Sequence, residues 1–548
     1  VCSSDLVMLN FNYNIRRFDI AATLGWTGRY ENMNNMRVST NGGLVTENWF
    51  DLNASRYTAS STLQRMELLK TGYMGTLSLG WDNYLFLELT GRQERSSTLK
   101  DQSFFYPSAN LSFLFSNAFR MPAWWNHGKL RLSYGVVGNA PETYAANIIY
   151  EQGSDNGFTW NYVPSSWGNA NIRPEKKYEY EIGFESKFLN NRLGFDVSYY
   201  NNRVKDQILS TPQPSTSGVK YVLMNVGEVA NEGWDISVSA TPVLTKNFRW
   251  DLTANYGIYR NKVVKLADGV PYLEISNIGG GGAKIQAVEG RPMGDIYVQV
   301  PQMNENGEYL VSDKGLYMNQ TELQRVGNIN PDGVGGLFSS FSYKNIFLDF
   351  SIDFRIGGDV INEMYQYSTA SGLTPESLQF RDTEHGGLSY YYPGNNNASG
   401  VPVQVDPSLG AGPNGETVYH DGVILPGVVA STGEKNTRII PAGYYYNQTY
   451  NWGTQPEQLT YRHSVFDNSY VKLRELTIGY QFPEKLISKL GMTRLSVSVF
   501  GRNLFYFYKA LKNYDAESSV GTSWASQAVV GGSTTATRNF GVSLRASF

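Results

Sequence analysis

Apolar and polar residues alternate with a period of two through almost the whole sequence, and this pattern constrains the fold more than any other feature. One segment places Tyr178, Tyr180 and Ile182 on one side and the intervening glutamates on the other. Successive side chains of a strand point to opposite faces, so each such segment predicts a β-strand with one apolar and one polar face. The pattern recurs at residues 9–15, 18–26, 85–92, 193–199, 234–239, 248–255, 348–355 and 540–548.

The alternating segments are longer than strands of a soluble sandwich. They run for about ten to twelve residues, whereas strands of globular proteins usually have about five or six. Ten to twelve residues is the length that a tilted strand needs to cross a bilayer. A mean hydropathy of −0.35 and the lack of an apolar run of about 18 residues exclude a helical membrane protein, but alternating strands average to a mildly hydrophilic value. The sequence therefore predicts an all-β protein, an antiparallel transmembrane β-barrel.

The connections between the segments alternate in length. Short links are expected at 16–17, 82–83, 187–191, 242–247 and 344–345, and somewhat longer ones at 116–127 and 481–492. Long connections are expected at 31–72, 138–175, 205–229, 264–333, 358–468 and 505–536, with one short exception at 96–103. Short turns on one side and long loops on the other are typical of outer-membrane barrels, whose short side is periplasmic. About fifteen strands are expected. Because this number is odd, we expect a barrel that lacks its N-terminal strands.

The first six residues are set apart from the rest. Residues 1–6 resemble the translated end of a sequencing-library adapter, and we expect them to be non-native. Residues 7–548 are then one partial β-barrel domain with long extracellular loops. With no initiator Met and no signal peptide, the chain is expected to be a fragment of a longer protein.

The sequence offers little for catalysis or for metal binding. Cys2 is the one cysteine, and four scattered histidines have no metal-ligand spacing. A net charge of −3 gives no basic surplus for nucleic acid. We therefore expect no enzyme, no metal, no cofactor and no nucleic-acid partner.

Two kinds of side chain are candidates for contact with a solute or a partner. Glu179, Glu181 and Glu185 share one polar strand face, which is either a solvated lumen wall or a surface that steers a polar solute. Aromatic tracts in the long connections can pack on themselves, contact a partner protein, or stack on a ligand. The aromatic candidates are Trp160, Tyr162, Trp167, Tyr390, Tyr391, Tyr392, Tyr444, Tyr445 and Tyr446.

Several segments, in order along the chain, resemble those of the SusC/RagA-type TonB-dependent outer-membrane transporters. The segments are spread over nearly all of residues 7–548. Each segment alone is weak evidence for the resemblance. Two depart from the family pattern, with Pro174 in the second segment and Ala516 where proline is usual. The segments are Leu130–Asn139 (LRLSYGVVGN), residues 171–176 through Tyr199-Tyr200-Asn201, residues 225–233, Asn328-Ile329-Asn330-Pro331, residues 468–474 (NSYVKLR), Gly501-Arg502-Asn503-Leu504, and Asp515-Ala516-Glu517.

The resemblance implies a 22-stranded barrel in the outer membrane of a Gram-negative cell, plugged by an N-terminal domain that this chain lacks. It implies a SusD-like surface lipoprotein as partner, energy from the TonB complex through the missing N-terminal region, and import of oligosaccharides or peptides, glycans foremost. It also implies that the terminal aromatic, Phe548, is recognised during membrane assembly. Outer-membrane lipid would surround the apolar face. A porin or an adhesin with ligand-binding loops is the alternative function.

Overall fold

A computed structural model of the chain describes residues 2–100, 103–155, 158–213, 216, 218–451, 461–532 and 536–548. The chain divides into two compact units. The first unit comprises Val1–Val238 and Asn261–Val270, and the second comprises Ser239–Arg260 and Pro271–Phe548.

The predicted fifteen strands are confirmed: one sheet contains fifteen, and their order in the sheet is their order in the chain. Within each unit of the chain, all described strand pairings of this sheet are antiparallel. The strands are β1 Cys2–Ile15, β2 Phe18–Leu44, β3 Ser55–Trp81, β4 Leu85–Ser96, β5 Ser103–Phe113, β6 Trp125–Asn139, β7 Glu175–Phe188, β8 Leu193–Lys205, β9 Glu228–Leu244, β10 Phe248–Lys265, β11 Gly333–Tyr343, β12 Ile346–Ile356, β13 Tyr470–Gln481, β14 Arg494–Lys509 and β15 Asn539–Ser547.

The long connections contain smaller elements. Among the described residues of these connections, short strands form six small sheets: Glu151–Asp155 with Phe158–Tyr162; Ser166–Trp167, Ile208–Pro212 and Tyr221–Asn225; Tyr272–Ile278, Ala283–Val288, Asp295–Val298 and Gln324–Asn328; Leu310–Val311 with Val428–Val429; Asp359–Asn362, Val465–Asp467 and Val529–Val530; and Leu388–Tyr391, Val403–Gln404, Val418–Val423 and Ile440–Pro441. The helices are α1 Phe115–Ala118, α2 Glu363–Ala370, α3 Ala442–Tyr450 and α4 Glu484–Ile487. No helix among the described residues has the length and apolar character needed to cross a membrane.

Strand register in the first unit sorts the side chains into an apolar and a polar face. Residues that face each other across paired strands lie on the same face. An apolar row crosses β1–β8 in this way and comprises Tyr13, Ile20, Leu79, Leu87, Leu111, Leu132, Ile182 and Tyr199. The neighbouring row lies on the opposite face and comprises Asn12, Ala21, Ser78, Glu88, Asn110, Ser133, Glu181 and Tyr200. The alternation in the sequence thus becomes two continuous surfaces.

The second unit repeats this separation on β10–β15. The apolar row comprises Trp250, Phe341, Leu348, Ile478, Val499 and Val542. The member of this row on the last strand, Val542, has 72% of its surface accessible. On the other face, Asp251 lies opposite Ser340 and Ser340 lies opposite Asp349. Such exposure of aliphatic side chains is costly in water and is expected of a surface that contacts lipid.

One predicted connection is wrong. A long loop is expected at 31–72, but β2 and β3 each have 27 residues and pair as far as Leu44 and Ser55, which leaves a connection of residues 45–54. The alternation fades beyond Glu31 because both faces of this hairpin mix apolar and polar residues. The prediction of ten to twelve residues per strand fails most clearly here, and it also fails for β9, β10 and β14, which have 17, 18 and 16 residues. The other predicted long connections are present.

The long connections of the second unit share a buried core. Ile285 and Ile296 come from one connection, Ile361 and Tyr461 from the next, and Val529 from the last. A small sheet of Asp359–Asn362, Val465–Asp467 and Val529–Val530 joins two of them. These connections therefore fold together and are not independent loops.

The N-terminal residues continue β1. Val1 lies outside the described residues, and Cys2 to Leu6 pair with Glu31 to Thr27. This pairing does not depend on where the residues come from, so their non-native origin stays a prediction, as does the domain boundary at residue 7.

Candidate functional site

The polar face of the first unit carries a charged cluster on β6, β7 and β8. The Arg131 guanidinium donates to both Asp196 carboxylate oxygens, from Nη2 at 2.6 Å and from Nη1 at 3.1 Å, and Nη2 also donates to the Ser198 hydroxyl at 3.1 Å. Arg131 faces Gly183 across the sheet, and Gly183 faces Ser198. A Cβ atom at residue 183 would lie 2.7 Å from Arg131 Nε, so glycine allows the guanidinium to cross β7.

The glutamates of β7 differ in their surroundings. Glu185 lies 3.5 Å from Arg131 Nη1, so it belongs to the charged cluster. Glu179 pairs with Lys177 at 2.6 Å and accepts a hydrogen bond from Asn202. Glu181 faces Ser133 and lies in the polar row. All three lie on the predicted polar face. A role in steering a solute stays a prediction.

A second charged network anchors the connection at 510–538 to the polar face of the second unit. The Glu517 carboxylate accepts from Arg474 Nη2 at 2.6 Å and from Lys472 Nζ at 2.5 Å. Arg474 also donates to Asp353 at 2.6 Å and to Asn503 at 3.0 Å. Lys472 is only 2% exposed. A buried ammonium needs a paired carboxylate, so this contact fixes the loop at one place.

Neighbouring hydrogen bonds extend the anchor. The Asp515 carboxylate accepts from the Tyr506 hydroxyl at 2.5 Å and from the Ala536 amide at 3.1 Å. The Asn468 side chain donates to the Ala516 carbonyl at 2.9 Å. Residues 468–474, Asn503 and Asp515-Ala516-Glu517 belong to three separate segments of the resemblance. They therefore meet in one network.

Glu517 gives this anchor a defined acid sensitivity. Burial by itself would raise the pKa of the carboxyl, but hydrogen bonds from Arg474 and Lys472 outweigh burial and lower that pKa to about 2. An unperturbed glutamate has a pKa of about 4.3. Because the pKa is depressed in the folded state, the anchor is fully present above about pH 4.3 and is lost as the pH falls towards 2.

A buried aspartate organises the connection before β11. Asp295 is fully buried and contacts Arg291 at 2.5 Å and Arg325 at 2.9 Å. Asn328, from the resemblance segment at 328–331, donates its side-chain amide to Asp295 at 2.9 Å and its backbone amide to Asp359 at 2.9 Å. Charge pairing and hydrogen bonds thus satisfy the buried carboxylate.

The predicted aromatic candidates of the second unit are mostly in local cores. Tyr446 is 3% exposed in α3, where its hydroxyl donates to the Glu376 carbonyl at 2.8 Å. Three consecutive helical residues point in different directions, so Tyr445 is half-buried and Tyr444 is at the surface. Tyr390 is 1% exposed and its ring stacks on Tyr419.

Tyr391 and Tyr392 are half-buried, and the Tyr392 ring contacts Tyr390 with centroids 5.6 Å apart. Tyr419, which the sequence analysis missed, is exposed beside them and meets Tyr392 at 6.1 Å. The structure therefore brings Tyr390, Tyr392 and Tyr419 together and leaves Tyr419 as the member best placed to contact a solute. No alternation marks Tyr419 in the sequence.

Two of the three aromatic candidates of the first unit, Trp160 and Tyr162, lie in an exposed row. Phe158, Trp160 and Tyr162 alternate on one strand of a hairpin, and all three are exposed. The Trp160 indole lies over Gly153, whose added Cβ would come within 2.7 Å of it. Rings two residues apart are about 6.6–6.8 Å apart along a strand. Trp167 is half-buried against Tyr150. Phe158 was missed, although its spacing of two from Trp160 could have identified it.

Phe548 follows the last residue of β15 and is 82% exposed. Phe540, Val542 and Leu544 precede it on one side of that strand and are also exposed. Its role in assembly stays a prediction. Within the described ranges, His, Cys, Asp and Glu form no group of three that could hold a metal ion.

Comparisons with known proteins identify the family. The family model of the TonB-dependent receptor-like β-barrel matches residues 4–295. TonB-dependent receptor P3 of Formosa agariphila is 22% identical over 494 residues, which are 82% of this chain and 42% of that protein. TonB-dependent receptor SusC of Bacteroides thetaiotaomicron is 27% identical over 256 residues, which are 41% of this chain and 24% of that protein.

Among solved structures, the RagAB peptide transporter superposes with a TM-score of 0.73 at 18% identity, covering 99% of this chain and 55% of that one. At this identity the likeness concerns the fold. The chain spans less than half the length of both curated relatives. The matched family model places the chain in the TonB-dependent receptor-like β-barrel family of outer-membrane proteins, and its fold is similar to that of the RagAB peptide transporter.

Proposed function

We propose that the full-length protein imports oligomeric nutrients, glycans foremost, through the outer membrane, with energy from TonB and with a SusD-like surface lipoprotein as partner. The apolar rows contact lipid and the polar rows line the path of the solute. The chain supplies recognition and a path, and it performs no chemistry on the solute. Family membership supports the coarse function, and the polar face supports the path.

The observation that carries the glycan proposal is the row of Phe158, Trp160 and Tyr162. Flat, exposed rings offer apolar contact area with little loss of side-chain entropy on binding. Glu151 faces Tyr162, and the hydrogen bond that the Tyr162 phenol donates to the Glu151 carboxylate raises the pKa of the phenol. Rings beside polar groups suit pyranose rings, which have apolar faces and hydroxyl edges.

The anchored loops support transport over simple adhesion. Glu517, Arg474 and Lys472 fix the connection at 510–538 to the polar face, where it is placed to meet a solute that enters along that face. An adhesin needs exposed loops, but it does not need a loop tied to an internal polar surface. This contact therefore favours a transporter, in which a fixed loop controls the passage of the solute, over an adhesin.

Uptake by cells that carry the full-length protein tests the proposal. Fluorescent oligosaccharides and fluorescent peptides of similar size are supplied separately to cells with TonB and to cells without it. We expect TonB-dependent uptake of oligosaccharides. TonB-independent uptake would support a porin, binding without uptake would support an adhesin, and uptake of peptides alone would correct the substrate class.

The double change Trp160→Ala and Tyr162→Ala links uptake to the aromatic row. It should lower oligosaccharide uptake about tenfold or more, since loss of aromatic anchors commonly costs that much affinity. Phe505→Ala, an exposed aromatic on β14, is the matched control and should leave uptake unchanged. Equal uptake by both variants would remove the row from the proposal.

A further inference from the structure

Two lysines face each other across β7 and β8, at the end of these strands where the long connections begin. Lys176 lies directly opposite Lys205 in the strand register; we call them the lysine pair. Like charges directly opposite each other destabilise a sheet. The connections before β7 and after β8 are both long, so this end of the strands is the extracellular one.

The lysine pair lies on the apolar face. Every second residue of a strand shares a face, and Lys176 is six residues from Ile182, a member of the apolar row. Lys205 is six residues from Tyr199, which belongs to the same row. The lysine pair is therefore on the face opposite to Glu181 and the polar row, and it does not line the proposed path of the solute.

An aromatic belt of Tyr134, Tyr180, Tyr199 and Trp234 separates the apolar row from the lysine pair. Tyr134 faces Tyr180 across β6 and β7, and each is 47% exposed. The Trp234 ring contacts the Tyr199 ring with centroids 4.9 Å apart. Tyrosine and tryptophan collect where hydrocarbon meets lipid headgroups, because each has an apolar body and a polar tip. The lysine pair lies beyond the belt, at the side of the headgroups.

Neighbouring charges cancel in pairs and leave the two lysines over. A cavity of about 380 Å³ beside Lys205 is lined by three carboxylates, each of which pairs with a cation. The ion pairs are Glu228 with Arg203 at 3.1 Å, Asp206 with Arg173 at 3.0 Å, and Asp268 with Lys265 at 3.3 Å. Among the residues that the structure describes, no carboxylate forms an ion pair with Lys176 or Lys205.

A further carboxylate on this face lies in the belt and not at the lysine pair. Glu232 accepts hydrogen bonds from the Tyr199 hydroxyl at 3.2 Å and from the Asn201 amide at 3.5 Å. These two residues are six and four positions inward of Lys205. The Lys205 ammonium lies 5.9 Å from the centroid of the Tyr178 ring, which gives it no counter-charge. The lysine pair therefore carries two uncompensated positive charges.

Adjacent ammonium groups beside a cavity suit a phosphate group. Each lysine ammonium has three hydrogen-bond donors and binds phosphate as a point charge. Basic residues at the margin of a membrane-spanning segment attract anionic lipid headgroups. The apolar face continues from the lysine pair through the belt to Ile182, so acyl chains attached to a bound phosphate would meet an apolar surface. A free anion would not use that surface.

We propose that Lys176 and Lys205 bind the phosphate group of a lipid in the outer leaflet, with its acyl chains along the apolar row of β6–β8. This inference rests on the proposed function, because it takes the contact of the apolar rows with lipid from there. The face excludes the transported solute as the occupant, and the uncompensated charge selects an anionic headgroup over a neutral one.

Native mass spectrometry of the full-length protein tests the site, because it counts the lipids that stay bound after the detergent is removed. The probe is lipid A with two phosphate groups, and the same glycolipid without phosphate is the comparison. The double change Lys176→Gln and Lys205→Gln should lower retention of the phosphorylated lipid about tenfold or more. Each basic residue near a headgroup contributes about a factor of five.

Lys177→Gln is the matched control. Lys177 is the next residue of β7, lies on the polar face and pairs with Glu179 at 2.6 Å, so this variant should retain the phosphorylated lipid. The double change Lys176→Arg and Lys205→Arg keeps both charges and should retain it as well. The glycolipid without phosphate should stay bound equally to all variants.

The outcomes separate this inference from the proposed function. Equal retention of the phosphorylated lipid by the unaltered protein and the Gln double variant would overturn the site, and so would an equal loss with Lys177→Gln. Displacement of the lipid by inorganic phosphate at the same concentration would show a site for a free anion and overturn the lipid assignment. Oligosaccharide uptake tests the proposed function by itself: uptake without TonB would overturn that function, whereas the lipid retention would still support the site.

Discussion

At the scale of single residues, Gly183 shows how a missing side chain positions a charge. The guanidinium of Arg131 occupies the space where a Cβ would be. We predict that Gly183→Ala displaces Arg131 from Asp196 and lowers the free energy of unfolding by about 1.5–3 kcal/mol, the usual contribution of a hydrogen bond to a charged group. Urea titration of the protein in lipid vesicles measures this loss.

Gly135→Ala is the matched control for that change. A Cβ at residue 135 would have Ser108 Cβ at 3.6 Å as its nearest contact, which is ordinary packing. Both glycines lie on strands that carry the polar face. The main difference between the two substitutions is therefore that only the one at residue 183 brings a Cβ against Arg131. Equal stability of the two variants would show that Arg131 does not depend on Gly183.

Glu517 is the residue on which the loop anchor depends. We predict that Glu517→Gln releases the connection at 510–538 at a cost of about 3–5 kcal/mol, because it leaves the buried Lys472 without a paired charge. Cleavage by pepsin reports the release. The unaltered protein should be cut in this connection only as the pH falls from about 4.3 towards 2, whereas the variant should be cut already at pH 4.3.

Glu475→Gln is the control for Glu517. Glu475 pairs with Arg502 at 2.9 Å, but both side chains are substantially exposed, so the pair should contribute about 0–1 kcal/mol. Cleavage of this variant should follow that of the unaltered protein. The same early cleavage in both variants would mean that the anchor does not rest on Glu517.

At the scale of elements, strand β12 tests which face meets lipid. Phe350 lies between Ser339 and Leu476 on the apolar face, and Asp349 accepts a hydrogen bond from Ser340 at 2.6 Å on the polar face. We predict that Phe350→Arg costs about 2–4 kcal/mol of stability in a bilayer. Asp349→Arg should cost about 1 kcal/mol, the net value of one hydrogen bond. Equal costs in a vesicle-folding titration would contradict the orientation.

The last strand carries a prediction about assembly. Phe548→Ala in the full-length protein should lower the amount inserted in the outer membrane much more than Phe540→Ala, while uptake per inserted molecule stays constant. Both rings are exposed on β15 or directly after it, so burial alone gives them similar roles. Immunoblots of outer-membrane fractions measure insertion. Equal defects would leave Phe548 as one more apolar residue in contact with lipid.

The strands were predictable where one face is uniformly apolar. Tyr178, Tyr180 and Ile182 alternate cleanly, and β7 contains them all. The outer parts of β2 and β3 were missed because Met33, Asn34, Asn35 and Met36 give no period of two. The sequence signal for a strand is therefore a signal of asymmetric surroundings, and it fails where both faces meet the same environment.

The candidate site was predictable only in part. The sequence placed Trp160 and Tyr162 in one long connection, and the structure shows them on one face of a short strand there. Burial of Tyr390 and Tyr446 was not predictable, because it depends on contacts with residues distant in the sequence, such as Asp421 and Glu376. The meeting of Glu517 with Lys472 and Arg474 likewise joins segments about 45 residues apart. Sequence patterns describe local periodicity and leave such pairings open.

At the scale of the whole molecule, the central claim is that one face of the strands meets lipid and the other lines an aqueous path. Leu132 and Ser133 are adjacent on β6 and belong to opposite rows, so they make a matched pair. Cys2 is the one cysteine of this sequence; replacing it, and any cysteine of the full-length protein outside this sequence, by Ser leaves a background without thiols.

The most direct measurement is the environment of a fluorophore at each of these two residues in the full-length protein in vesicles. Leu132→Cys and Ser133→Cys, each in the background with Cys2→Ser, are labelled with the same small dye. We predict that a lipid-borne spin label quenches the dye at residue 132 and that aqueous iodide quenches the dye at residue 133. Lipid quenching at residue 133, or equal quenching at both, would contradict the assignment of the two faces.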